Sequence, residues 1–290
     1  MWSEFDSSTV VQLTIRHCPA LEVPDIFAEF HELRGIKVYN TTINGWSASA
    51  AITGTNHPSI MTLFIVRVNM THGVLPEGFQ SAEFPVGLYN IKLCITNVRE
   101  MPDDLETKWR ARIILIEYSQ LTVVPLVLAR TNPLYLVLTG NPITDLPSEV
   151  FEAPGMTTLG LSDTNIQELP QNVTQLSATL GSICIENTGV SFFWAWADKL
   201  AEQASYPVWH AGGSVYCDDL SRIQNGTSNA FQVPLSHEYS SVLMDPSIAG
   251  RQTLLNAITC NASTRLLFYS LAITDNFNAI STPPPVSRLR

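Results

Sequence analysis

Residues able to support catalysis or metal binding occur in this chain, but their spacing matches no catalytic or phosphate-binding motif. Neither Gly-x-Ser-x-Gly nor His-Glu-x-x-His occurs, and the Gly-rich loops that bind nucleotides are also missing. The histidines lack the paired spacing that a metal site on a helix requires; they are His17, His31, His57, His72, His210 and His237. We therefore expect no metal ion and no cofactor.

Two pairs of adjacent carboxylates have side chains suited to acid–base chemistry: Asp103 with Asp104, and Asp218 with Asp219. Such catalysis needs opposed groups placed within hydrogen-bond reach of a substrate. Asp103 and Asp104 instead follow Pro102, where carboxylates stabilise the positive end of a helical turn. We interpret this pair as a helix start, and we do not expect an enzyme.

The elements that must position any site are short apolar strands that recur along the chain. Each has two apolar residues flanking one variable residue, the period of two that sends alternate side chains into a core. A small polar residue able to bond the turn backbone follows, as at Asn141 and Thr164, and then a further apolar residue. The eight pairs are Leu13 and Ile15, Ile36 and Val38, Leu63 and Ile65, Ile91 and Leu93, Ile114 and Ile116, Leu136 and Leu138, Leu159 and Leu161, and Ile183 and Ile185.

An apolar residue followed by proline closes most copies and sets their period. It occurs at Val23, Leu75, Met101, Val124, Leu146 and Leu169, with Trp46 and Phe193 in the same slot without the proline. The intervals of roughly 22 to 29 residues, and the copies at 136–147 and 159–170, resemble leucine-rich repeats of the common type with about 23 residues. The resemblance covers roughly Val10 to Trp196. It implies an α/β solenoid, a horseshoe of about eight repeats with parallel strands on the concave face.

The rest of the chain lacks this pattern. We predict a solenoid over 1–196, a C-terminal cap or flank over 197–280 and a Pro-rich tail over 281–290. Within the flank, a helix is expected from about Ser247 to Ile258, with Leu254 and Leu255 facing inward. Irregular spacing before Leu75 predicts an inserted loop over 47–57 that bulges from one face.

The cysteines divide into three lone residues and one pair. Cys18 occupies the polar-turn slot, while Cys94 and Cys184 lie in or beside the strands of repeats four and eight. At roughly 4.8 Å per strand the last two are about 19 Å apart, beyond disulfide reach, so we expect three free thiols. Cys217 and Cys260 both follow the last repeat, and we predict a disulfide between them.

Five N-glycosylation sequons begin at Asn40, Asn69, Asn172, Asn225 and Asn261. Together with the predicted disulfide they favour the extracellular space or the secretory lumen. A cytoplasmic location is the alternative, in which the sequons are idle and the cysteines reduced.

Residues between the core positions line the concave face of such a solenoid and form its natural binding surface. Their charge runs from basic in the first repeats to acidic in the last, with tyrosines between. We expect a protein or peptide ligand of complementary polarity, held by Tyr39, Tyr118 and Tyr135; a solvated sheet with incidental tyrosines is the alternative. A glycan on Asn40 would lie near the basic end. The candidate ligand residues are Arg16, Lys37, Tyr39, Arg67, Lys92, Glu117, Tyr118, Tyr135, Asp163 and Glu186.

Composition narrows the partners further. A formal charge of -10 and a pI of about 5.0 argue against nucleic acid, and no apolar run is long enough to span a membrane. The resemblance implies a non-enzymatic recognition module, extracellular or the ectodomain of a larger membrane protein. An intracellular scaffold or regulator of signalling is the alternative.

Overall fold

The structure is a computed structural model, and it describes residues 2–4, 6–204, 206–248, 252–261 and 268–278. Within these ranges the strands form a single sheet in which every neighbouring pair is parallel, ordered β1-β3-β4-β5-β6-β7-β8-β9-β10-β11, with β2 paired beside β3. The strands are β1 Gln12–Arg16, β2 Leu21–Val23, β3 Gly35–Trp46, β4 Thr62–Met70, β5 Asn90–Thr96, β6 Ile113–Glu117, β7 Tyr135–Val137, β8 Thr158–Gly160, β9 Ser182–Cys184, β10 Trp209–His210 and β11 Ile258–Thr259.

The predicted apolar pairs form the face of the sheet that packs in the core. The register stacks Leu13 on Ile36, Ile36 on Leu63 and Leu63 on Ile91. From Ile36 to Ile185 every predicted pair member is fully buried, whereas Leu13 and Ile15 on the edge strand are half-buried. The apolar face of each strand is therefore stacked on that of its neighbours, as expected for a solenoid.

The small polar residue after each strand satisfies the backbone of the turn. The Asn141 side chain accepts from the backbone N–H of Leu121 at 3.1 Å and donates to the carbonyls of Ile116 and Leu138 at 2.7 and 2.8 Å. The Thr164 hydroxyl donates to the carbonyl of Leu161 at 2.7 Å. These side chains are buried, and they supply hydrogen bonds to backbone N–H and C=O groups that would otherwise be buried without a partner.

Short helices cover the side of the solenoid opposite the sheet. They are 3-10 helices at Asp25–Glu29, Ala48–Ala50 and Glu77–Phe79, followed by α1 Leu105–Lys108, α2 Leu126–Arg130 and α3 Glu149–Glu152. Asp104 precedes α1 and pairs with Lys108 at 2.7 Å, as expected for a helix start. Further 3-10 turns lie at Trp2–Glu4, Ser7–Thr9 and Thr71–Gly73.

The loop over 47–57, expected to bulge from one face, does so only in part: Ser47, Ala48, Ser49 and Thr55 are exposed, whereas other residues of the loop pack inward. Ile52 and His57 are fully buried. His57 hydrogen-bonds through Nε2 to the carbonyl of Phe27 at 3.0 Å, and its ring lies 4.5 Å from that of Phe27. Burial lowers the pKa of His57 below its ordinary value, which suits a neutral core histidine.

The C-terminal flank adds two strands to the sheet of the solenoid and also covers its end. Strand β10 pairs with β9 and β11 with β10, and the flank helices are a 3-10 turn at Ala195–Ala197, α4 Asp198–Gln203, α5 Val215–Gln224, a 3-10 turn at Pro246–Ile248, α6 Gln252–Ala257 and α7 Leu271–Asn278. Cys217 on α5 and Cys260 after β11 form a disulfide with a Cα–Cα distance of 5.5 Å.

The helix expected near Ser247 to Ile258 is shorter than predicted. Helix α6 ends at Ala257, and Ile258 belongs to β11. Leu254 faces the core as expected, but Leu255 is 44% exposed, because a six-residue helix presents only one face to the core. The Pro-rich tail at 281–290 lies outside the described residues.

Candidate ligand-binding face

A column of residues with left-handed backbone runs along the sheet, one within or just after each of the strands β1 and β3 to β10. The φ angles are 56° at His17, 47° at Asn40, 53° at Arg67, 55° at Ile95, 49° at Tyr118, 74° at Gly140, 55° at Asp163, 56° at Asn187 and 74° at Gly213. We call these nine residues the left-handed column. This conformation is uncommon outside Gly, Asn, Asp and His, yet it recurs in nine successive coils, from β1 to β10.

The left-handed turn keeps the backbone ladder continuous beyond each strand. The N–H of Tyr118 donates to the carbonyl of Thr139 at 2.8 Å, and the N–H of Gly140 donates to that of Ser162 at 2.9 Å. The N–H of Asp163 repeats the pattern with Glu186 at 2.8 Å. Side chains of the column are thereby held in a row along one border of the concave face.

Gly140 leaves space for the Tyr118 side chain, which extends across repeat six to Asp163. A Cβ on Gly140 would lie 2.4 Å from the Tyr118 ring, so only glycine lets that ring pass over repeat six. The Tyr118 hydroxyl then donates to the carboxylate of Asp163 at 2.5 Å, and Asn187 donates to the same carboxylate at 2.8 Å. Burial, followed by the Asp163 hydrogen bond, raises the pKa of Tyr118 well above its ordinary value.

The basic half of the concave face is covered by the chain's own C-terminal segment. We call Phe268–Asn278, which contains α7, the docked segment. Asp275 on α7 accepts from the Nε and Nη2 atoms of Arg67 at 2.9 and 2.8 Å, and from the Tyr39 hydroxyl at 2.7 Å. Burial alone would raise the pKa of Asp275, but the hydrogen bonds from Arg67 and Tyr39 hold it below its ordinary value.

Glu117 anchors the other end of the docked segment. Its two carboxylate oxygens accept from the backbone N–H groups of Phe268 and Tyr269 at 2.7 and 2.9 Å. Burial raises the pKa of Glu117 to about 7, although these two hydrogen bonds and the charge of Lys92 act in the opposite direction. The carboxylate is therefore committed to the protein's own backbone.

A small apolar cluster fills the space between the two anchors. Tyr269 and Leu271 of the docked segment pack with Tyr39, Val66 and Cys94. The Lys92 ammonium lies 5.1 Å from the centre of the Phe64 ring and 5.5 Å from that of Tyr269, within the range of a cation–π interaction. The His17 imidazole also hydrogen-bonds the carbonyl of Asn278 at 2.9 Å.

The predicted ligand residues thus fall into separate environments. Tyr39 is fully buried and lies beyond β4 and β5 from Tyr118, so the three tyrosines do not form one patch. Glu186 is 2% exposed, which places it beneath the surface. Arg16 and Tyr135 are exposed, whereas Tyr118 and Asp163 are half-buried, as is Lys37 near Asp275.

Cysteines and sequons lie in the positions that the repeat phasing implies. Cys18, Cys94 and Cys184 are free, and burial raises the pKa of Cys184 to about 11, which leaves this thiol protonated and unreactive. All five sequon asparagines are exposed, at Asn40, Asn69, Asn172, Asn225 and Asn261.

Within the part of the chain that the structure describes, no group of three His, Cys, Asp or Glu side chains is arranged to hold a metal ion. None of the helices described above is long and apolar enough to cross a bilayer.

Sequence reasoning missed the docked segment. Asp275 and Arg67 are 208 residues apart in sequence, and neither belongs to a motif that links them. The only feature of the sequence that could have suggested this contact is charge. Asp275 is an acidic residue among mainly apolar neighbours in the sequence, and the repeats carry basic residues that could pair with it.

No family sequence model matches the chain, and no characterised protein matches it by sequence. Solved structures match by fold. A leucine-rich-repeat protein of Leptospira interrogans has a TM-score of 0.59 at 17% identity, over 71% of this chain and 50% of its own. A chain of the Toll–Spatzle complex from Drosophila has 0.50 at 16%, over 71% and 32%. Internalin C2 from Listeria monocytogenes has 0.45 at 15%, over 62% and 73%.

The chain spans half the length of the Leptospira protein and about a third of the Drosophila chain, and at such identities the likeness concerns the fold. The repeats, the parallel sheet and this likeness agree with one another. The chain has the fold of a leucine-rich-repeat protein.

Proposed function

We propose that this chain is a non-enzymatic module that recognises a protein or peptide outside the cell or in the secretory lumen, by itself or as the ectodomain of a larger membrane protein. The observation that carries the proposal is the left-handed column, which holds polar and aromatic side chains in register along the concave face. In this proposal residues 1–196 form the recognition solenoid and 197–280 its stabilising flank.

The accessible part of this face has the composition of an interface. Tyr135 is 37% exposed at the start of β7, and Tyr118 follows the end of the neighbouring strand β6 with its hydroxyl fixed on Asp163. A ring held in one orientation loses little conformational entropy when a partner binds, and tyrosine is enriched among residues that dominate binding energy. We therefore propose that the partner contacts Tyr118, Tyr135 and Asp163, with Arg16 at the far border.

Two observations support a location outside the cytoplasm, and a third supports protein recognition. Cys217 and Cys260 are bridged, and disulfides persist mainly in oxidising compartments. All five sequon asparagines are exposed and thus open to modification. One of the structures with a similar fold is a chain from the complex of Toll with Spatzle, which supports protein recognition as the function.

The binding proposal is tested with peptides selected from a random displayed library against the full-length wild-type chain. We expect the selected peptides to lose binding to a Tyr118→Ala, Tyr135→Ala double variant. Tyr206→Ala, which removes a 70% exposed tyrosine from the flank, is the matched control. Equal binding to the double variant and the wild type would exclude the concave-face proposal.

The compartment is tested on the protein from its natural source. Treatment with an endoglycosidase should increase its mobility in a denaturing gel, because at least one sequon carries a glycan. An unchanged mobility, together with free thiols at Cys217 and Cys260, would favour the intracellular scaffold instead.

A further inference from the structure

The groove under the docked segment has the features of a peptide-binding site that is already occupied. Its walls offer two hydrogen-bond donors for a carboxylate, the Arg67 guanidinium and the Tyr39 hydroxyl, and a carboxylate, Glu117, for backbone N–H groups. An apolar cluster lies between them. The chain carries a net charge of -10, so this cationic groove differs in sign from the protein as a whole.

The occupant fits the groove by charge but makes modest apolar contact. Helix α7 turns Leu271, Thr274, Asp275 and Asn278 inward, a face of mainly polar side chains. Its most apolar outer residues, Ile273 and Phe277, are 71% and 81% exposed. An eight-residue helix is marginal on its own in water, so docking depends chiefly on the polar contacts of Asp275 and Glu117.

We propose, on the basis of the recognition function above, that this groove binds a short acidic helix of a partner protein. In this proposal the docked segment is a built-in competitor with the same chemistry. The partner's helix would carry a carboxylate for Arg67 and Tyr39, an aromatic or leucine residue for the cluster, and two free N–H groups at its start for Glu117. A partner helix that packs more apolar surface against Tyr39, Val66 and Cys94 than α7 does would displace the segment.

Because the docked segment is part of the same chain, its effective concentration at the groove determines how tightly a partner must bind to displace it. The docked segment follows Cys260 closely in sequence, and Cys260 is fixed to α5 by its disulfide. A short tether gives an effective concentration on the order of millimolar. Free peptide should therefore bind the wild-type chain only weakly, and loosening the segment should strengthen peptide binding.

The test uses full-length chains and a fluorescein-labelled synthetic peptide with the sequence of residues 268–278. Asp275→Asn removes the charge that holds the docked segment in place while leaving the groove unchanged. We expect this variant to bind the peptide at least about tenfold more tightly than the wild type. Adding Arg67→Met should abolish the gain, and a peptide with Asn at the position of Asp275 should bind at least about tenfold more weakly. Asp218→Asn, which removes an exposed carboxylate elsewhere, is the matched control.

Amide hydrogen exchange of residues 268–278 reports whether Asp275→Asn releases the segment. Continued protection would overturn the proposal that the segment is displaceable, and release without peptide binding would overturn the groove as a site. Dimers of the wild-type chain that the peptide disperses would show that the occupant in trans is a second copy, and would also overturn the proposal. The recognition function itself is tested at Tyr118 and Tyr135, so its failure would appear in different variants.

Discussion

Because Gly140 has no Cβ, it can adopt the left-handed backbone of the column and also leave room for the Tyr118 ring. In Gly140→Ala the new methyl group would lie 2.4 Å from the Tyr118 ring, and the residue would have to keep a φ of 74°. Gly155→Ala provides a matched control, because its φ is 79° and nothing lies within 4 Å of its Cβ. The two substitutions share the backbone cost and differ only in their effect on Tyr118.

The difference in cost follows from these contacts. A left-handed backbone costs an L-residue about 1 kcal/mol, and both variants should lose this amount. Gly140→Ala also forces the Tyr118 ring away from Asp163, and a hydrogen bond to a charged group contributes about 2 kcal/mol. We therefore expect the free energy of unfolding to fall by about 3 kcal/mol for Gly140→Ala and by about 1 kcal/mol for Gly155→Ala.

Urea denaturation of the oxidised, full-length chain measures both losses from the shift in midpoint. A double-mutant cycle then isolates the contribution of Tyr118: in a Tyr118→Ala background the two alanine substitutions should cost the same. Equal losses in the wild-type background would refute the assigned role of Gly140, as would an unequal pair in the Tyr118→Ala background.

Three further perturbations test the flank, the groove and the turns. Replacing Cys217 and Cys260 with Ser opens a loop with a sequence separation of 43. In the chain-entropy model this lowers the free energy of unfolding by about 4 kcal/mol; an unchanged thermal midpoint would contradict it. Burial raises the pKa of Glu117 to about 7 from an ordinary 4.5, so the folded protein holds a proton that the unfolded chain releases. Its contribution to stability is full below pH 4.5 and is lost as pH rises to about 7, and Glu117→Gln should remove a slope worth up to roughly 3 kcal/mol; identical pH profiles of unfolding would refute the shift. Asn141→Ala leaves buried backbone groups unpaired and should cost about 2 to 3 kcal/mol, against a few tenths for the exposed control Thr144→Ala; equal costs would exclude the turn role.

The solenoid could be predicted because its core positions repeat. Aliphatic residues at two-residue spacing identify β3 to β9, and the structure buries those residues as predicted. The two following strands escape this pattern. Trp209 occupies the position of Ile183 in the register, and Ala211 is buried two residues later. Trp and Ala at these positions do not match a leucine-rich template, although both bury well.

The concave face was only partly predictable, for a different reason. Alternation along a strand shows which side chains point away from the core, and it predicts this orientation for Lys92 and Glu117. It does not show what covers them. Contacts such as that between Tyr39 and Asp275, 236 residues apart in sequence, depend on a non-repeating segment folding back across the array, and local sequence carries no record of such pairings.

The disposition of the concave face, open around Tyr135 and covered around Tyr39, is tested most directly by hydroxyl-radical footprinting of the full-length chain. Tyr39 is fully buried and Tyr269 is 5% exposed, whereas Tyr206 and Phe277 are 70% and 81% exposed. We predict slow labelling of Tyr39 and Tyr269, intermediate labelling of Tyr135 and fast labelling of Tyr206 and Phe277. Labelling of Tyr39 and Tyr269 as fast as that of Tyr206 would contradict the account, since it would place the C-terminal segment away from the groove.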